Sequence, residues 1–135
     1  MPIELKVLVA GCVLALIHIF AAGHVRTRQY GTAWNVGARD EALPPPEPVV
    51  GRRTRAQANY CETFPIVAAA ILIDAAAGLF GQGTAIGDLL WLGARIVYLP
   101  LYAAGVPVVR TLAFGVSLAG LVMLLWPALV RAVMI

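Results

Sequence analysis

The chain has 135 residues, of which 61% are hydrophobic and only 13% are charged. Soluble domains are about half apolar and about a quarter charged, so this composition excludes an ordinary soluble domain and indicates a membrane protein. Four apolar stretches run through the sequence, at about 3–25, 63–81, 85–104 and 107–130. Each is close to the roughly 20 residues that a helix needs to cross a bilayer. We therefore predict an all-α integral membrane four-helix bundle, with residues 1–135 as a single domain.

The formal net charge of +3 comes from arginines that border the apolar stretches. Most of them lie in or beside the first loop: Arg26, Arg28, Arg39, Arg52, Arg53 and Arg55. Arg110 follows the third loop, whereas the second loop, around 80–88, has no lysine or arginine. By the positive-inside rule, we expect the first and third loops to be cytoplasmic. No folded basic domain surrounds these arginines, so we do not expect nucleic acid as a partner.

The first span offers two features with more than one interpretation. Residues 1–23 begin like a secretory signal peptide, but the apolar run is long for one, so we interpret the segment as a helix. His18 lies in the middle of this span, where we expect a hydrogen bond to a neighbouring helix; a proton relay is the alternative. Cys12 and Cys61 have no metal-ligand spacing, and we expect neither a metal site nor a disulfide between them.

The first loop, residues 29–51, contains the triplet Pro44-Pro45-Pro46, which favours extended polyproline geometry. We predict a stiff, non-helical connector, either a solvated linker or an active-site lid, with the second helix beginning near Arg52. Asp74, further along that helix, is at the depth of Lys6 on the first one. We predict a Lys6–Asp74 pair or solvation of both.

The second helix carries three polar residues, Arg55, Asn59 and Glu62, at i, i+4 and i+7, so they share one face. The third helix carries Arg95 and, on the same face, two tyrosines. Unpaired polar groups in hydrocarbon are costly, so these residues need partners and mark a candidate functional site. An ion pair between Arg95 and Glu62, which lie at similar depth, is the interpretation we favour. This pair either belongs to the functional site or only stabilises the packing of the two helices.

These motifs resemble the MAPEG family, membrane-associated proteins in eicosanoid and glutathione metabolism. The likeness is carried by Arg55-Ala56-Gln57-x-Asn59-x-x-Glu62-x-x-Pro65, by Arg95-x-x-Tyr98-x-x-x-Tyr102, and by Arg110 after the next turn. The segment Asn35-x-Gly37-x-Arg39-Asp40 looks like bacterial members and so implies a bacterial inner membrane. The resemblance implies a left-handed four-helix bundle that forms a homotrimer, with glutathione bound between neighbouring subunits.

Carried over position by position, the resemblance implies a set of glutathione contacts: Arg55, Gln57, Asn59, Glu62, Arg95, Tyr98 and Tyr102. Arg110 matches the arginine thought to stabilise the glutathione thiolate, and either Arg26 or Arg28 matches an arginine at the end of the first helix. Thr63 replaces a tyrosine of the leukotriene-forming member, and Thr111 replaces a serine of the prostaglandin E-forming member. The named eicosanoid products are therefore not carried over.

The implied chemistry agrees with the residue types. A peptide with two carboxylates is recognised well by arginines, and a cation beside a thiol lowers its pKa and yields the nucleophilic thiolate. We therefore expect a glutathione-dependent transferase or peroxidase that acts on lipophilic electrophiles or hydroperoxides in contact with membrane lipid. The alternatives are a non-catalytic lipid-binding or scaffold protein of the same fold, and a small transporter that uses His18, Glu62 and Asp74.

Overall fold

The computed structural model describes residues 1–134, and these residues form helices joined by short connections, without strands. The helices are α1 (Ile3–Tyr30), α2 (Thr32–Val36), α3 (Pro48–Ala77), α4 (Gln82–Ala104) and α5 (Pro107–Val133). The four long helices are apolar enough to cross a membrane. The shortest of them, α4, has 23 residues, which correspond to about 35 Å at 1.5 Å per residue. The predicted all-α fold with four spans is therefore confirmed.

The helix boundaries around the first loop differ from the prediction. The first helix continues to Tyr30, and α3 begins at Pro48 instead of near Arg52. Proline suits the first position of a helix, because its φ is already helical and its missing N–H would have had no partner there. The short helix α2 also lies inside the predicted loop 29–51, whereas the segment with Pro44, Pro45 and Pro46 is non-helical as predicted. Gln29 holds this connector, since its side chain donates to the Pro45 carbonyl (3.1 Å) and accepts from the Glu47 N–H (2.9 Å).

Successive long helices run antiparallel, and small residues let two of them approach closely. Gly78 and Gly105 end α3 and α4 in left-handed backbone conformation (φ 66° and 76°), which glycine adopts without strain. Where α4 crosses α5, a Cβ atom on Gly120 would lie 2.5 Å from the carbonyl oxygen of Gly87. No side chain larger than hydrogen fits there without a shift. Gly87 and Gly120 therefore allow α4 and α5 to approach closely.

Aromatic side chains fill the middle of the bundle. Tyr60 is fully buried and donates its hydroxyl to the carbonyl oxygen of Gly11 (2.6 Å), which connects α3 to α1. Its ring stacks on His18, with ring centroids 4.6 Å apart, and packs with Phe64 and Trp91. Neither ring nitrogen of His18 has a hydrogen-bond partner in the described part of the chain. The predicted hydrogen bond is therefore wrong, and His18 contacts the neighbouring helix through its ring face.

One end of the bundle, called here the Glu4 end, holds three buried carboxyl groups, the acidic cluster of Glu4, Asp74 and Asp88. Glu4 accepts a hydrogen bond from the hydroxyl of Thr84 (2.8 Å), which is a residue of the first turn of α4. The carboxylate oxygens of the two aspartates have no partner among residues 1–134. Lys6 is exposed. The prediction that Lys6 and Asp74 pair, or that water solvates both, is therefore wrong, because Asp74 faces the inside of the bundle.

Candidate functional site

The candidate site lies at the opposite end of the bundle, called here the Arg110 end, and α3 forms one of its walls. At 100° per residue, Glu62 lies about 160° from the buried Tyr60 around the helix axis, and Arg55 about 140°. Arg55 and Glu62 are exposed and Asn59 is half-buried. The predicted shared face therefore points away from the bundle at Arg55 and Glu62, whereas Asn59 lies at its inner edge.

Helices α4 and α5 complete a small cavity of about 220 Å³ at this end. Its walls are polar and aromatic side chains from three helices: Asn59, Tyr98, Tyr102, Arg110, Thr111 and Phe114. Four of these were predicted site residues, although they are up to 51 positions apart in sequence (110 − 59 = 51). They meet because the turn at Gly105 directs α5 back along α4 and beside α3.

Tyr102 lies between two arginines at the mouth of this cavity. Arg55 donates its Nε–H to the Tyr102 hydroxyl (3.2 Å), and the Arg110 guanidinium carbon lies 4.7 Å from the centroid of the Tyr102 ring. A cation over an aromatic face is attracted to it. Arg110 also lies in the first turn of α5, where the helix dipole adds positive potential. The arrangement therefore concentrates positive charge where an anion can approach.

Arg95 is fully buried behind the cavity wall, and its partners differ from the prediction. Its Nη1 donates to Oδ1 of Asn59 (2.7 Å), and its Nη2 donates to the hydroxyl of Thr63. The predicted ion pair with Glu62 is wrong. Asn59 and Thr63 are four residues apart on the side of α3 that faces α4, whereas Glu62 points outward. The guanidinium carbon also lies 5.2 and 5.3 Å from the ring centroids of two further residues, Tyr98 and Phe114.

Several predicted site residues lie away from the cavity. Gln57 is two residues from Asn59, so it is on nearly the opposite side of α3. Glu62 is exposed on the outside of the helix. Arg26 donates to the backbone carbonyl of Ala22 on its own helix. Arg28 is exposed and borders a different cavity, formed by the end of α1 and the start of α3.

Three residues at the site were not predicted as site residues from sequence: Thr63, Thr111 and Phe114. Phe114 follows Arg110 by four positions, so both lie on the same face of α5, and this spacing is the signal that could have found it. In the sequence, Thr63 was noted only because it stands where the leukotriene-forming member has a tyrosine. In the structure it accepts a hydrogen bond from Arg95. No metal-binding group of three or more histidine, cysteine or acidic side chains occurs in residues 1–134.

Comparison with known proteins gives one result. No curated protein and no solved structure matches this chain. The model of the MAPEG family matches residues 5–130, which include all four spans and every residue of the candidate site. Because this match covers nearly the whole sequence, the chain is an integral membrane protein that belongs to the MAPEG family.

Proposed function

We propose that this protein is a glutathione-dependent membrane transferase or peroxidase that activates the glutathione thiolate for attack on lipophilic electrophiles or hydroperoxides. Members of the MAPEG family are glutathione-related transferases and peroxidases or proteins of lipid metabolism. The observation that carries the proposal is the arrangement around Tyr102, where Arg55 and Arg110 meet beside the polar cavity. Glutathione is the thiol co-substrate in this proposal.

Recognition of the peptide would use the two arginines as charged donors. The Nε of Arg55 is bonded to Tyr102, while its two terminal nitrogens make no hydrogen bond within the described residues. A guanidinium group with free terminal nitrogens can bind a carboxylate in a forked geometry. Arg55 is therefore suited to hold one of the two carboxylates of glutathione, and Asn59 and Tyr98 supply further polar contacts along the wall.

Arg110 would stabilise the thiolate. A cation beside a thiol favours loss of its proton, and the thiolate is the competent nucleophile. In the transferase reaction, the thiolate sulfur forms a bond to an electrophilic carbon, and the leaving group departs with the bonding electrons. In the peroxidase reaction, two glutathione molecules lose two electrons and form a disulfide, while the hydroperoxide is reduced to an alcohol and water.

Assembly as a homotrimer would supply the parts of the site that one chain does not bring together. Glu62 and Gln57 lie on different sides of α3, so both contact one glutathione molecule only if a second copy contributes one of them. Glu62 would accept from the glutathione amino group. Exposed aliphatic side chains cover the outer faces of the helices, and a groove between copies would hold the lipophilic substrate. The Arg110 end is cytoplasmic in this proposal, since the arginines of the first and third loops lie there.

The proposal is tested by titrating the purified, detergent-solubilised protein with glutathione while the thiolate absorbance is recorded. We expect a saturable thiolate signal in the parent. The Arg110→Ala variant should lose this signal, and its kcat should fall by about 10²–10³-fold, because a charge stabiliser of the reacting group has been removed. Arg131→Ala is the matched control, since this exposed arginine lies in the last turn of α5, at the Glu4 end. It should behave like the parent.

Two outcomes would contradict the proposal. An equal thiolate signal in the parent and in Arg110→Ala would remove Arg110 from the chemistry. A parent that binds no glutathione would exclude a glutathione-dependent enzyme and would leave the lipid-binding alternative or a different thiol.

A further inference from the structure

We infer that Arg95 orients the side-chain amide of Asn59 so that its NH₂ group faces the cavity, which makes Asn59 a hydrogen-bond donor to a carbonyl or carboxylate oxygen of the bound peptide. The inference rests on the proposed function. It assigns Arg95 the role of a positioning residue that acts through Asn59, without contact to the ligand.

The burial of Arg95 separates it from the ligand. Its exposed fraction is 0%, and it is not among the residues that line the cavity. Its two terminal nitrogens are bonded to Asn59 and Thr63, and the rings of Tyr98 and Phe114 pack beside the guanidinium group. A side chain held by both hydrogen bonds and ring contacts has little freedom to swing into the cavity. Its influence on a ligand must therefore pass through the residues that it holds.

The Thr63 hydroxyl is also held in one orientation. It lies 3.0 Å from the backbone carbonyl oxygen of Asn59 and 3.3 Å from that of Tyr60, so its single proton is donated to the backbone of α3. The lone pairs of its oxygen then accept from Arg95. Both groups that α3 offers to the guanidinium are thus acceptors.

The identity of the Asn59 atom that faces Arg95 follows from hydrogen-bond chemistry. A guanidinium group has five N–H donors and no acceptor, so the amide atom 2.7 Å from Nη1 must be the oxygen. The NH₂ group of the same planar amide then lies on the other side, away from Arg95. Asn59 is half-buried and lines the cavity. Its NH₂ group is therefore the part that a ligand meets.

This orientation restricts which ligand group can bind beside Asn59. An NH₂ donor pairs with a carbonyl or carboxylate oxygen, whereas an ammonium group beside it would find no acceptor. Glutathione has both kinds of group, since it carries amide carbonyls, two carboxylates and one ammonium. The inference therefore orients the peptide with an acceptor group against Asn59 and the ammonium group elsewhere.

The Asn59→Asp variant tests the inference through the direction in which the Kd for glutathione changes. Aspartate has the same shape and keeps an oxygen for Arg95, but it presents a second oxygen to the cavity in place of the NH₂ group. We expect the Kd for glutathione to rise by about 10–100-fold, the range for loss of one hydrogen bond to a charged group. The thermal unfolding midpoint should stay within about 4 °C of the parent. Unchanged or tighter glutathione binding would overturn the inference, because it would mean that Asn59 accepts from the ligand.

The Arg95→Lys variant separates positioning from a catalytic role. Lysine keeps the charge but cannot hold Asn59 and Thr63 with two fixed N–H groups. We expect the KM for glutathione to rise about tenfold, while kcat and the thiolate absorbance per bound glutathione stay at the parent's values, because Arg110 is intact. A loss of kcat or of thiolate absorbance at saturating glutathione would show that Arg95 acts on the reacting sulfur.

A measurement without ligand keeps the inference separate from the proposed function. Asn35 and Asn59 are the two asparagines of the chain, so isotopic labelling of asparagine gives two side-chain NMR signals, and an Asn35→Ser variant assigns them. We expect the Asn59 NH₂ protons to show proximity to the side chains of Tyr102 or Arg110. A stronger proximity signal to the Arg95 guanidinium protons than to the side chains of Tyr102 and Arg110 would overturn the inference. If the parent binds no glutathione, the proposed function fails, and this experiment still decides the orientation of Asn59.

Discussion

Arg95 and Asp74 are both fully buried, but the two ends of the bundle surround these polar groups differently. Towards the Arg110 end, α3 supplies an amide oxygen and a hydroxyl to the guanidinium group, and aromatic rings from two further helices pack beside it. At the Glu4 end, three helices each contribute a carboxyl group to the acidic cluster, and only Glu4 has a hydrogen-bond partner among the described residues.

The difference shows what a partnered buried charge contributes to a fold. A guanidinium group with acceptors and rings around it fixes the side chains that it contacts, and here these form the cavity wall. Buried carboxylates without donors cost free energy and orient nothing. We therefore expect substitutions that remove hydrogen bonds within the Arg95 cluster (Arg95, Asn59 and Thr63) to lower both stability and glutathione binding. Substitutions in the acidic cluster should change stability alone.

The largest effect on folding is expected for Arg95→Met. The variant leaves the half-buried Asn59 amide oxygen and Thr63 hydroxyl without their donor, and each loss costs about 1–2 kcal/mol. We expect the free energy of unfolding to fall by about 2–4 kcal/mol, measured by denaturation in detergent micelles. Arg53→Met is the matched control, since this half-buried arginine makes no hydrogen bond within residues 1–134. A loss below about 0.5 kcal/mol for Arg95→Met would show that the cluster does not stabilise the bundle.

A smaller loss of stability is expected for Gly120→Ala, at the close contact of α5 with α4. Its new methyl group would lie 2.5 Å from the Gly87 carbonyl oxygen and 2.8 Å from the Trp91 nitrogen, both backbone atoms of α4. The two helices must separate, and we expect a loss of about 1–3 kcal/mol. Gly115→Ala on the same helix is the control, because a methyl group there meets nothing within 4 Å. Equal stabilities of the two variants would contradict the close helix contact.

The smallest effect, with the opposite sign, is expected for Asp88→Asn. The amide has the same shape as the carboxylate, carries no charge, and offers N–H donors to neighbouring carboxylate oxygens of the acidic cluster. We expect the free energy of unfolding to rise by about 1 kcal/mol, with an unchanged glutathione Kd. Asp40→Asn in the exposed connector is the control and should change stability by less than about 0.5 kcal/mol. Lower stability of Asp88→Asn would reveal a partner for this carboxylate.

Much of the candidate site could be predicted from sequence because the helical period places residues on faces. The spacing of Arg55, Asn59 and Glu62 predicted one shared face, and that of Arg95, Tyr98 and Tyr102 predicted another. From these faces the fold brings Asn59, Tyr98 and Tyr102 to the cavity beside Arg110. Periodicity does not report the rotation of one helix relative to its neighbour. Arg95 was therefore predicted to pair with the wrong residue, Glu62, although its actual partners lie on the same helix, α3.

The sequence by itself determined that the chain is a four-span membrane protein, and it predicted a polar, arginine-rich candidate site at one end. Apolar runs of membrane length, loop charges and the period of 3.6 residues are sufficient for this, since each is a local property of the chain. Only the tertiary structure decided that Arg95 bonds Asn59 and Thr63, and that Asp74 turns inward away from Lys6. Both results depend on how neighbouring helices are rotated about their axes, and that rotation is set by packing contacts such as Gly87 against Gly120 and Tyr60 against Gly11.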